Sequence, residues 1–236
     1  MSAIFRREFR AYFTSPIGYV ALALMFGLSG DAFTTYNLNQ GLVDLSYVFS
    51  SMLSYLMLLV LPVLTMRLMS DDKRQKTDQA LLTAPVGLWS VVLGKFLAAV
   101  LLFTIGSSMM LLYAFVIATK VSPDWMVVTG NFFGLLLLGC MIIAIGLLIS
   151  SLTESQFVAA IGTFLASVVL LMIDSLTNLA PKSQLLAKIT EFLSVSSRYQ
   201  TFTSGLMQYD DVFFFISMTA LFLFLTTRLL DRKRWN

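Results

Sequence analysis

Histidine is absent from this 236-residue chain, and cysteine occurs once. Without histidine there is no imidazole to move protons near neutral pH, no Ser-His-Asp triad, and none of the commonest metal ligand. The lone Cys140 lies in an apolar run, so an internal disulfide and a thiolate metal site are both excluded. A phosphate-binding loop is missing as well. Gly94-Lys95 is the one candidate, but Trp89 stands where its first glycine belongs and Phe96 where Ser or Thr is required. Charge is scarce, at 12% of residues. Paired carboxylates occur at Asp71-Asp72 and Asp210-Asp211, and adjacent acids on loops are expected simply to be solvated.

What the chain has instead is apolar length. Hydrophobic residues make up 58%, and the mean hydropathy is +0.83. Runs of about 20 apolar residues read as transmembrane helices. The charged residues that bound them predict six spans: Arg10 to Asp31, Asp44 to Arg67, Lys95 to Lys120, Asp124 to Glu154, Glu154 to Asp174, and Asp211 to Arg228. The fourth carries Gly130, Gly134, Gly139 and Gly146, small residues that let helices approach closely. In the sixth the uncharged stretch is short, so Arg228 is expected to snorkel to the interface. Glu154 is expected to cap a tight turn, and Asp174 to face the outer interface. The expected fold is therefore all-α, a single polytopic membrane domain over residues 1–236. With both termini inside, twelve of the sixteen Lys and Arg fall on the cytosolic side. Only Lys120, Lys182, Lys188 and Arg198 remain outside, the asymmetry that the positive-inside rule requires.

Three segments lie outside the spans. Residues 2–15 place Phe5, Phe9, Tyr12 and Phe13 on one helical face and Arg6, Arg7 and Arg10 elsewhere, the pattern of an interfacial helix that Ser15-Pro16 ends. Arg6 to Arg10 interrupt any apolar core, so the segment is not a signal peptide. The loop 67–95 gathers charge between apolar runs. Within it Thr77 or Asp78 can cap a short helix that Pro85 ends, with Ala80, Leu81 and Leu82 as its apolar face. It reads as a helix offered to a soluble partner, or as a solvated basic loop that only fixes topology. The external loop 175–211 is too apolar for a free loop. Leu185, Leu186, Ile189 and Phe192-Leu193 recur at helical spacing, and Phe202, Leu206 and Met207 follow. It reads as short helices dipping into the outer leaflet, or as a cap packed on the spans. Leu186, Ile189 and Phe202 are the candidate lipid or partner contacts.

The segment Phe9-Arg10-Ala11-Tyr12-Phe13-Thr14-Ser15-Pro16-Ile17-Gly18-Tyr19 resembles the opening of type-2 ABC exporter permeases, in particular the gliding-motility, GldF-like branch. Met66-Arg67 through Val86, followed by Val92-Leu93-Gly94-Lys95, is similar to that family's cytosolic coupling region. Ser150-Ser151-Leu152-Thr153-Glu154-Ser155-Gln156 resembles its turn between spans four and five. Many relatives have Gly where this chain has Lys76, and Glu where it has Gln79. The resemblance implies a permease subunit that is not itself an enzyme and holds no cofactor. ATP and Mg would bind a separate ABC ATPase subunit. The interfacial helix, through Phe5, Arg6, Phe9 and Arg10, and the loop helix of about Lys73 to Thr83, through Lys73, Arg74, Asp78, Leu81 and Leu82, would rest on that ATPase. Further implied partners are a second permease chain, identical or a paired relative, a GldG-like auxiliary membrane subunit, and the lipid bilayer of a bacterial cytoplasmic membrane. No nucleic acid is expected. Two other readings are weighed against this one. A secondary transporter predicts intramembrane acids or an inverted repeat, and neither is seen. A scaffold subunit that transports nothing is the alternative that stays open.

Overall fold

The computed structural model describes residues 1–76, 87–179, 194–205 and 208–235, without the side chains of 174–179 and 233–235. All secondary structure among these residues is helical. Six helical stretches are long and apolar enough to cross a bilayer: Pro16–Asn39, Ser46–Arg74, Leu88–Ala118, Trp125–Leu152, Gln156–Ile173 and Tyr209–Arg232. A helix satisfies its own backbone polar groups, as a span in hydrocarbon requires.

Local chemistry sets the breaks. The N-terminal helix α1 (Ser2–Thr14) stops at Ser15, whose backbone is extended, and Pro16 opens the first span. Gly18 then packs on the backbone of Tyr12, so closely that a Cβ there would collide with its carbonyl. In the second span Pro62 lacks an N–H for the preceding turn, and a wide π turn, Leu56–Val60, stands just before it. A short helix, Ser70–Arg74, follows, and beyond it Lys76 takes a left-handed φ of +57°. That conformation favours glycine, so the lysine there carries backbone strain.

Two expected boundaries move. The third span was expected to begin at Lys95, but its helix begins at Leu88, which leaves Lys95 inside the helix and 1% exposed. The turn between spans four and five was expected to be capped by Glu154. Instead the Thr153 hydroxyl accepts from the Ser155 N–H (3.1 Å), and Glu154 is exposed. Arg228 is exposed, with its guanidinium 5.1 Å from the Phe224 ring one turn earlier in the span.

The fourth span is the hub of the bundle and packs on the third, fifth and sixth. Its glycines receive large neighbours: Phe202 at Gly134, Phe103 at Gly139 and Thr65 at Gly146. A Cβ at Gly134 would stand 2.7 Å from the Phe202 ring. Phe202 belongs to a helix, Val195–Thr203, that closes the end of the bundle opposite α1. Val195, Tyr199 and Phe202 of this helix are all fully buried, and the Tyr199 hydroxyl donates to the Phe49 carbonyl (3.1 Å). So this part of the long loop is a packed cap, and Phe202 is a core residue rather than a lipid or partner contact. The reason is the small fourth-span surface that accepts its ring. Asp211 corrects the expectation of a solvated acidic pair. It is 4% exposed, receives Arg198 at 2.8 Å, and accepts from the Thr201 hydroxyl at 2.5 Å.

Candidate functional site

At the end of the bundle that carries α1, charge is buried. Successive residues of a helix are 100° apart, so α1 divides into three faces. Ile4, Glu8, Ala11 and Tyr12 turn toward the bundle, Phe5, Phe9 and Phe13 form an aromatic stripe, and Arg6 and Arg10 lie on the exposed side. Gly94 on the third span lets the N-terminal turns of α1 approach, since a Cβ there would stand 3.0 Å from the Ile4 side chain. The same approach brings Glu8 over Lys95.

The Lys95 ammonium lies 3.1 Å from Glu8 Oε1 and 2.6 Å from Asp72 Oδ2. Arg7 adds a second cation, 2.5 Å from Glu8 and 3.8 Å from Asp72. Two carboxylates and two cations therefore meet where α1, the Ser70–Arg74 helix and the third span converge. A lysine removed from water is tolerable only when opposite charge surrounds it. That is why Lys95 can lie inside the helix. It also corrects the reading of Asp71-Asp72 as merely solvated: Asp72 turns to Lys95, while Asp71 accepts from Gln156 Nε2 at 2.9 Å and meets Arg67 at 3.4 Å.

Neutral contacts extend the junction. Arg67 donates to the Ser15 hydroxyl, and its guanidinium stands 5.7 Å from the Tyr12 ring. The Tyr12 hydroxyl donates to the Leu64 carbonyl (3.2 Å). Burial raises its pKa well above the usual tyrosine range, against the pull of nearby Arg67, so it remains a donor. The Ser150 hydroxyl, at the end of the fourth span, accepts from the Met69 and Ser70 N–H groups at 2.9 and 3.0 Å. Lys73 donates to the Ser151 carbonyl. The start of the 67–95 loop is thereby bound to four other segments: α1, the third span, the fourth span and the start of the fifth. Beside it a cleft of about 560 Å³ is lined by Met66, Arg74, Glu154, Ser155, Gln156 and Phe157.

Of the residues singled out from sequence, Lys73 and Arg74 border this junction. Asp78, Leu81 and Leu82 lie outside the described residues, as do Leu186 and Ile189. Phe5 and Phe9 are half-buried, and Arg6 and Arg10 are exposed. Glu8, Asp72 and Lys95 were not among the candidate residues. One signal did exist for Glu8: it is the sole acid on a basic helix and lies four residues before Tyr12, on the inward face.

No curated protein matches the chain. A family model does, over residues 2–235, and a match across nearly the whole sequence settles kinship: this six-span membrane protein belongs to the ABC-2 family transporter proteins.

Proposed function

We propose that the chain is the permease subunit of an ATP-binding cassette exporter of the type-2, GldF-like kind, driven by ATP and Mg held on a separate ATPase subunit. Family membership supports a permease that works with an ATP-binding subunit. The single observation that carries the reading further is the ionic junction. A chain without a nucleotide site must receive motion through a surface contact, and the contact must be stiff. Here both segments proposed to touch the ATPase, α1 and the 67–95 loop, are bound to each other and to the third span through Lys95. Setting both termini inside leaves twelve of the sixteen basic residues on the cytosolic side, which supports an orientation with this end facing the cytosol at a bacterial cytoplasmic membrane. A second permease chain, identical or related, completes the path, and a GldG-like subunit is a candidate addition.

We assign Leu81 and Leu82 as the apolar knob of the contact, and Lys73, Arg74 and Asp78 as the charges that accompany it in the sequence. Buried anchors of this kind contribute on the order of 2 kcal/mol each, whereas rim charges set on-rate and register. The test is co-purification of the ABC ATPase with the detergent-solubilised chain, with size-exclusion behaviour as the folding control. Leu81→Asp with Leu82→Asp should abolish association, and Lys73→Ala with Arg74→Ala should weaken it modestly. A double Asp variant that still carries its full ATPase complement overturns the coupling assignment. An ATPase that binds but whose turnover ignores the chain favours the scaffold reading.

A further inference from the structure

We propose that the outer face of α1 binds an anionic phospholipid, with Arg6 and Arg10 taking its headgroup phosphate and the adjoining groove taking an acyl chain. Arg6 and Arg10 are exposed, lie one turn apart on one face, and make no ion pair among the described residues. Arg7, by contrast, is engaged with Glu8 and Asp72. Beside the arginines runs a groove of about 1020 Å³ whose walls include Phe5, Phe9 and Thr14 of α1 and Leu101 of the third span. Phe5 stacks on Phe9 at 6.0 Å within this wall, and the aromatic stripe continues beyond the groove through Phe13. Leu101 lies six residues beyond Lys95 along the third span and is 36% exposed. At 1.5 Å per residue that is roughly 9 Å deeper into the bundle. The groove thus runs from two cations with no ion pair among the described residues to an apolar side chain well inside the third span.

One ligand class suits both ends, a molecule with an acidic head and an apolar tail. A free phosphate would leave the phenylalanine wall wet, and an acidic peptide would leave Leu101 uncovered. Each arginine at an anionic membrane surface contributes about a fivefold preference, so the pair favours an anionic over a neutral headgroup by roughly tenfold or more. The lipid site is read on the chain without the ATPase, so it can fail while the loop contact through Leu81 and Leu82 stands, and the reverse.

The test uses the full chain in neutral detergent, titrated with dioleoylphosphatidylglycerol, dioleoylphosphatidylcholine or glycerol phosphate. Bound adducts are read by native mass spectrometry and the melting midpoint by fluorescence. Phosphatidylglycerol should bind at least about tenfold more tightly than phosphatidylcholine and raise the midpoint. Arg6→Gln with Arg10→Gln should lose that preference, Arg6→Lys with Arg10→Lys should keep most of it, and glycerol phosphate should not displace the lipid. Equal binding of the two lipids by the unaltered chain overturns the proposal, even if the glutamine variant fails to fold. So does undiminished preference in that variant, or displacement by glycerol phosphate, which would mark a free-anion site.

Discussion

Lys95 joins three segments that are far apart in the sequence, whereas Arg198, at the opposite end of the bundle, meets an aspartate thirteen residues along the chain. Both contacts bury charge, yet they hold different things. The Lys95 junction fixes α1 and the start of the 67–95 loop to a membrane span, and no stretch of local chain would keep them together without it. The Arg198–Asp211 pair fixes a cap helix to the beginning of the span that follows it, where the connecting chain is already short. Its guanidinium also sits 4.5 Å from the Phe214 ring, so part of its hold is not ionic. A long-range junction can pass motion between elements, while a local one mostly sets where a single element rests.

The sharpest way to break this comparison is Lys95→Met, which leaves the partly buried Glu8 and Asp72 carboxylates to share the half-exposed Arg7. The expected cost is about 3–5 kcal/mol, seen as a lowered melting midpoint in detergent. Replacing Glu8→Gln and Asp72→Asn together with Lys95→Met should recover much of it, because the cation left at the junction, Arg7, is half exposed and can turn to water. Asp211→Asn at the other end removes one hydrogen-bonded charge and should cost less, about 1.5–3 kcal/mol. Hydrogen exchange should localise that loss to Val195–Thr203. Gly134→Leu probes the same cap without touching charge. It forces Phe202 off the fourth span, at about 1–3 kcal/mol, and should leave exchange near Lys95 unchanged. The smallest effect is a gain: Lys76→Gly relieves a left-handed φ of +57° and should stabilise the protein by about 1 kcal/mol.

The spans were legible because hydrocarbon imposes one rule on every residue in them, and Ser15-Pro16 was legible because proline restricts its predecessor whatever surrounds it. The ionic junction was not. A lone lysine before an apolar run reads as the water-facing end of a span, and nothing within seven residues of Lys95 announces that Glu8 and Asp72 will surround it. Asp211 misled for the same reason, since its partner Arg198 is supplied by the fold. Phe202 shows a different limit. Helical spacing revealed an apolar face, but not that Gly134 would be the surface covering it. Lys76 shows the reverse: a lysine carries no sequence signal of the left-handed φ of +57° that the fold imposes on it.

If the proposed ATPase contact drives the permease, the Lys95 junction carries its motion into the bundle. The direct measurement is substrate-coupled ATPase turnover of the reconstituted complex with Lys95→Met, alongside recovery of the ATPase and the size-exclusion profile. The expectation is a complex that still assembles but loses turnover coupling by at least about tenfold, equivalent to about 1.4 kcal/mol. Unaltered coupling in a folded Lys95→Met complex would contradict it, and the junction would then be a structural clamp with no part in transmission.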